Sequence, residues 1–181
     1  PITYLKPAKG LAALNLRDLW EYRELLYFLT WRDLKVRYKQ TLLGFTWVIL
    51  QPVINMVVFT ILFGELLSVP TNGIPYPIFS FAALLPWTYF ASSLTRSSTT
   101  LVGSANLISK VYFPRMVIPI SGVLSGFVDF AIALIILIVM MLIYRIIPTW
   151  NLLLLPLFLF LAMLTALGFG LWLSALNVRF R

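Results

Sequence analysis

The sequence predicts an all-α membrane protein: a polytopic bundle of transmembrane helices preceded by an amphipathic N-terminal segment. Three observations carry that prediction. Of 181 residues, 61% are hydrophobic and only 11% charged, with a mean hydropathy of +0.94, which suits a chain solvated by lipid. The apolar residues gather into four stretches, about 42–67, 78–94, 117–144 and 152–178, each near or above the ~20 residues that cross a bilayer core. The basic residues gather between those stretches, nearly all on one side.

That charge pattern predicts an orientation. Lys6, Lys9, Arg17, Arg23, Arg32, Lys35, Arg37 and Lys39 precede the first stretch, and Arg96, Lys110 and Arg115 lie between the second and third. Arg179 and Arg181 follow the fourth, and with four crossings only Arg145 falls on the opposite side. The positive-inside rule then puts both termini and the middle loop in the cytoplasm, with Glu65 and the 69–77 loop outside. The net charge of +8 suits anionic lipid head groups or an acidic protein surface; no nucleic-acid-reading motif accompanies it. The absence of cysteine and histidine excludes disulfides and thiolate metal sites, and removes the commonest general base. No apolar core with a small-residue cleavage site precedes Leu42, so no secretory signal is expected.

Taken in order, residues 1–18 mix Pro7, Gly10 and scattered charge, and are expected to form a loose lead-in. Tyr22, Leu25, Leu26 and Leu29 then share a helical face. Trp31, Leu34 and Tyr38 form a second stripe about half a turn out of register, and Thr30 with Asp33 fits a capping pair. Residues 1–40 are therefore expected to hold two short amphipathic helices bent near Thr30. They would lie at the membrane–water boundary; the alternative is a single solvated helix packed on a partner.

Residues 41–181 make up the transmembrane part. In the first span Trp47, Gln51, Asn55, Phe59 and Phe63 recur at i, i+4 and share a face. Amides avoid lipid tails, so this face should meet protein or water, either as an interhelical hydrogen bond or as a pathway wall of amide and aromatic rungs. Pro70, Asn72, Gly73, Pro75 and Pro77 predict an external turn. The second span carries Pro86 and Trp87 and passes into a hydroxyl-rich run, Ser92 to Thr100, around Arg96; the helix should continue beyond the bilayer.

The third span holds Gly122 and Gly126 at the spacing that lets helices approach closely. Asp129 lies on the same face, twelve residues in, about 18 Å from the start at ~1.5 Å per residue. An ionised carboxylate at that depth costs ~2.5–3.5 kcal/mol or more, so it must be protonated, paired or hydrated. A hydrogen bond beside the glycines and a proton-coupled role both remain open. Ala162, Ala166, Gly170 and Ser174 form a second small-residue stripe on the fourth span. Spans three and four should therefore pack tightly, against each other or against a second copy. No internal repeat supports an inverted-repeat carrier.

Catalytic signatures are missing: no phosphate loop, HExxH, GxSxG or paired carboxylates, so neither an enzyme nor a metal site is expected. What remains is the loop between spans two and three. Its residues after Ser104 predict a short helix ended by Pro114. Leu107, Ile108, Tyr112 and Phe113 offer apolar contacts to a protein groove, and Lys110 and Arg115 can pair with acidic rims.

Four stretches carry a family resemblance: Trp31–Gly44, Trp47–Pro52, Asn106–Arg115 and Leu173–Arg181. In them the chain resembles the permease subunits of type-2 ABC transporters, in the branch that exports O-antigen, capsule and teichoic acid polymers. The resemblance implies a homodimer of permeases in the bacterial cytoplasmic membrane, working with two separate ATPase subunits. Those subunits would hold ATP and Mg, and this chain no cofactor. It further implies that Asn106, Leu107, Ile108, Lys110, Tyr112, Phe113 and Arg115 dock on the ATPase, with Asn177–Arg181 as a second contact. The cargo would be a lipid-linked glycan moving along an aromatic-rich pathway, which favours the Trp47–Phe63 face as its wall. The family has six spans where this chain shows four, so the expected domain is incomplete. The alternatives are a type-2 permease for drugs or small lipids, an ion-coupled carrier using Asp129, and a membrane scaffold.

Overall fold

The structure is a computed structural model that describes residues 16–39, 42–71, 73–104, 107, 110, 113–114, 116–148 and 150–180. Among them there is no strand. Two helices, α1 (Leu16–Glu21) and α2 (Arg23–Lys39), precede four long ones: α3 (Leu42–Phe59), α4 (Tyr76–Gly103), α5 (Val117–Ile143) and α6 (Leu155–Arg179). A π-helical turn, Thr60–Leu66, prolongs α3, and a 3₁₀ turn, Trp150–Leu154, leads into α6. Among the described residues four helices are long and apolar enough to cross a membrane, and the chain is a multi-pass membrane protein. As expected, α4 runs on through the hydroxyl-rich segment.

The expected bend at Thr30 is not there. α2 is continuous across it, and the Thr30 hydroxyl donates to the Leu26 carbonyl at 2.8 Å. That i−4 bond satisfies the side chain within a helix and removes its reason to cap. The break between the two helices falls at Tyr22 instead.

α4 forms the centre of the bundle, with α5 and α6 packed along it. Along one half, bulky side chains build the core: Phe81, Leu85 and Tyr89 of α4 meet Val123, Phe130 and Leu137 of α5, with Leu159 of α6. Along the other half the contacts are small. A Cβ on Gly122 would lie 3.2 Å from the Thr100 hydroxyl, and one on Gly126 3.1 Å from that of Ser93. Gly170 of α6 abuts Ser97 so closely that a Cβ there would collide with it, and Ala166 and Ser174 are fully buried. Both small-residue stripes therefore close onto α4, whereas α5 and α6 touch each other little. This corrects the expectation that spans three and four pack together or on a second copy. The reason is that α4 presents serines at the matching levels, so its backbone can be approached from two directions.

α5 ends in a Schellman motif: Ile146 N–H donates to the Met141 carbonyl at 2.9 Å and Arg145 N–H to that of Leu142 at 3.2 Å. Arg145 takes the left-handed conformation, φ 54°, where glycine is usual.

Candidate functional site

α2 lies against α5. Leu29 of α2 is buried with Phe113, Val117 and Ile118 at the start of α5. Two turns further along α2, Arg37 and Tyr38 reach Asp129 of α5, so the two helices run in the same direction. Arg37 Nη1 bonds Asp129 Oδ2, Tyr38 Oη donates to Asp129 Oδ1 at 2.7 Å, and Arg96 Nη2 of α4 donates to Oδ2 at 2.8 Å. Arg96 Nη1 also reaches the Ser125 hydroxyl at 3.3 Å. Of the options for Asp129 the structure shows pairing: one carboxylate ties α2, α4 and α5 together.

These are charge-assisted bonds, the stronger kind. The three ionised side chains are partly shielded, Asp129 being 22% exposed, so their attraction is screened less than at a free surface. Burial, and after it the bond to Asp129, pushes the Tyr38 phenol well above its ordinary range; it stays a donor at physiological pH. Two guanidiniums facing one carboxylate leave the cluster with an excess positive charge. Its level along the bundle is also informative: Arg37 and Tyr38 come before Thr46, where the apolar stretch of the first span begins. Arg96 and Asp129, by contrast, lie within the apolar helices Tyr76–Leu101 and Val117–Ile143, so the cluster joins α2 to the membrane-spanning body; the end of the bundle that carries Arg32, Lys110 and Arg179 is called the basic end below.

Two cavities adjoin the cluster, and Arg37 and Arg96 line both. One, of about 670 Å³, opens at the basic end between α2, the end of α4 and the start of α5; Arg32, Thr100, Ser104 and Leu107 are among its walls. The other, of about 230 Å³, lies further into the apolar body and is lined by Trp47, Gln51 and Asn55 of α3 with Thr88, Ser92 and Asp129. Pro52 has no N–H, so the Val48 carbonyl loses its helical partner; both residues line this inner cavity.

The predicted α3 face is therefore split. Trp47, Gln51 and Asn55 come together at the inner cavity. Phe59 and Phe63 do not line it but stack on each other, 5.4 Å between centroids, on the exposed side of α3.

Of the proposed docking residues, Asn106, Ile108, Tyr112 and Arg115 lie outside the described residues. Lys110 is exposed, and Leu107 packs partly against the Leu29 cluster. Phe113 is 6% exposed, in contact with α2. That corrects its reading as a surface contact: the ring anchors the segment from within. Asn177 turns inward too, donating to the Ser98 carbonyl at 3.1 Å. The residues that sequence reasoning missed are Arg37, Tyr38 and Arg96 as partners of Asp129. A signal existed for Arg96, an arginine inside a predicted helical continuation of a span, which calls for a counter-ion.

A family described as ABC-2 type transporter matches residues 24–181, from the start of α2 onward. The chain belongs to the ABC-2 type transporter family. Within it, the chain is 35% identical over 166 residues to an O-antigen export system permease protein RfbA of Myxococcus xanthus, covering 91% of this chain and 63% of that protein. Two RfbA proteins of Klebsiella pneumoniae are each 32% identical over 162 residues, covering 87% of this chain and 61% of theirs. The chain thus spans a little over three-fifths of the length of these relatives. The ABC-2 match takes in α2 and all four long helices, so both cavities and the cluster between them lie within the family domain.

Proposed function

We propose that this chain is the membrane-spanning part of a permease that exports a lipid-linked polysaccharide of the O-antigen, capsule or teichoic acid type across the cytoplasmic membrane. The observation that carries the reading is the 35% identity over 91% of the chain to a permease named for O-antigen export. The bare α3 supports it. None of its Thr46–Leu66 stretch is buried, and Trp47, Phe59 and Phe63 stand exposed, as a wall completed by a second copy and a passing glycan would require.

In this reading the basic end faces the cytoplasm, as the positive-inside rule directs. The Asn106–Arg115 segment docks on a separate ATPase subunit that binds ATP and Mg, Leu107 and Lys110 being its described contacts. Asp129 serves as a structural tie between helices; the ion-coupled alternative draws no support from a carboxylate held by two arginines.

The test is transport of radiolabelled lipid-linked glycan into inverted vesicles carrying the full-length permease and its ATPase. ATP-dependent uptake of glycan, lost on Leu107→Glu together with ATPase co-purification, is expected. Glycan transport that is absent while drug efflux responds to the protein would overturn the assignment in favour of the small-molecule reading.

A further inference from the structure

We propose that the connection between α5 and α6 is a lipid-binding corner, in which Arg145 holds the phosphate of an anionic phospholipid while Tyr144, Ile147 and Trp150 enter the bilayer around it. The connection lies at the end of the bundle opposite the basic end, where α5 stops at Ile143 and α6 begins at Leu155. Three observations point there. The first is the backbone. Arg145 holds a left-handed conformation, φ 54°, which is costly for a residue with a Cβ and free for glycine. A turn needed only to stop α5 would be better served by glycine. Strain retained at a single residue points to a use for its side chain. The turn is also held in place. Ile146 N–H bonds the Met141 carbonyl, and both side chains pack on the core of the bundle. With Ile146 drawn inward, its neighbours Arg145 and Ile147 are left exposed.

The second is charge. Among the described residues no carboxylate pairs with Arg145. With four crossings it is the one basic residue at this end of the bundle. A guanidinium placed where two spans end is at the level of the head groups, and its planar fork matches their phosphate oxygens.

The third is the apolar surface around it. Ile147 is 88% and Trp150 85% exposed, and Leu142, Ile143 and Leu153 stand out with them. Tryptophan and tyrosine beside a cation make up the composition of a membrane–water boundary. The other connection at this end is different. Between Leu67 and Pro75 the α3–α4 turn has no aromatic or charged residue, and the Thr71 hydroxyl closes it by donating to the Ile74 carbonyl at 2.5 Å. That turn suits water. A second copy fits the α5–α6 corner less well than lipid does, because a two-fold contact centred there would set Arg145 against its own counterpart. Nothing in the lipid assignment depends on the export reading, and binding can be measured without glycan or ATPase.

The experiment uses the full-length protein, in a background without other cysteines, labelled with bimane at Ile147→Cys and placed in phosphatidylcholine nanodiscs. A fraction of the lipid carries bromine on its acyl chains, either as phosphatidylglycerol or as phosphatidylcholine. Brominated phosphatidylglycerol should quench the label about threefold more than the same amount of brominated phosphatidylcholine, because Arg145 recruits the anionic head group. Arg145→Gly keeps the turn conformation and should abolish that preference, leaving the two lipids to quench alike. A label at Thr71→Cys should be quenched much less by either lipid. The proposal is overturned if the Ile147 label is quenched no more than the Thr71 label, or if the preference for phosphatidylglycerol is absent or survives Arg145→Gly. Cross-linking of two copies through Ile147→Cys would also overturn it, by placing a second copy on the corner.

Discussion

α3 and α4 both have the length to cross a bilayer and both contain a proline, Pro52 and Pro86, yet they pack in opposite ways. α4 is enclosed by α5 and α6, while no residue of Thr46–Leu66 is buried. Hydropathy ranks them the other way round: 1.9 for the bare helix and 1.2 for the enclosed one. In water that ordering would be perverse. In lipid it follows from the solvent, because hydrocarbon solvates leucine as well as protein does, whereas hydroxyls and charges gain from protein neighbours. α4 is central because Arg96 finds Ser125 and Asp129 on α5, and because Gly122, Gly126 and Gly170 let two helices approach it closely.

The largest expected effect breaks α4 and its neighbours at the cluster. Asp129→Ala leaves two guanidiniums facing each other without a counter-ion. It should cost about 3 kcal/mol, near the low end for a broken buried pair, read as unfolding of the purified protein in detergent. A loss below about 1 kcal/mol would mean that the charges are effectively solvated. Gly170→Val comes next. Its side chain would press on Ser97, and overpacking of that kind costs about 2 kcal/mol; the same measurement checks it. Arg145→Gly works in the other direction. It removes a side chain from a left-handed position and should raise stability by about 1 kcal/mol. Smallest in stability is Phe59→Ala on α3, expected within about 0.5 kcal/mol of wild type as an exposed substitution. Under the proposed export function its effect should appear in glycan transport instead, and loss of stability without loss of transport would reverse the contrast between α3 and α4.

Much of this was legible in the sequence. The third span is expected over 117–144 and found as Val117–Ile143, because a long apolar run in lipid leaves the backbone no choice but to bond within a helix. Asp129 stands out for the same reason, as a charge that needs an explanation. Its partners were not legible. Arg37 and Arg96 lie 92 and 33 residues away in the chain, on helices whose placement depends on tertiary packing. The Thr30 bend fails because a capping pair also occurs inside helices, where the hydroxyl finds the i−4 carbonyl. The small-residue stripes announce close packing but do not name the partner, which the serines of α4 decide.

The tie between α2, α4 and α5 rests on Asp129, and a double-mutant cycle tests it most directly. Unfolding free energies of Arg96→Gln, Asp129→Asn and the double variant give the coupling energy between the two side chains. Side chains in one ion-pair network couple by ~0.5–3 kcal/mol, and a value of about 1 kcal/mol or more is predicted here. A coupling near zero, with the two losses simply adding, would contradict the account.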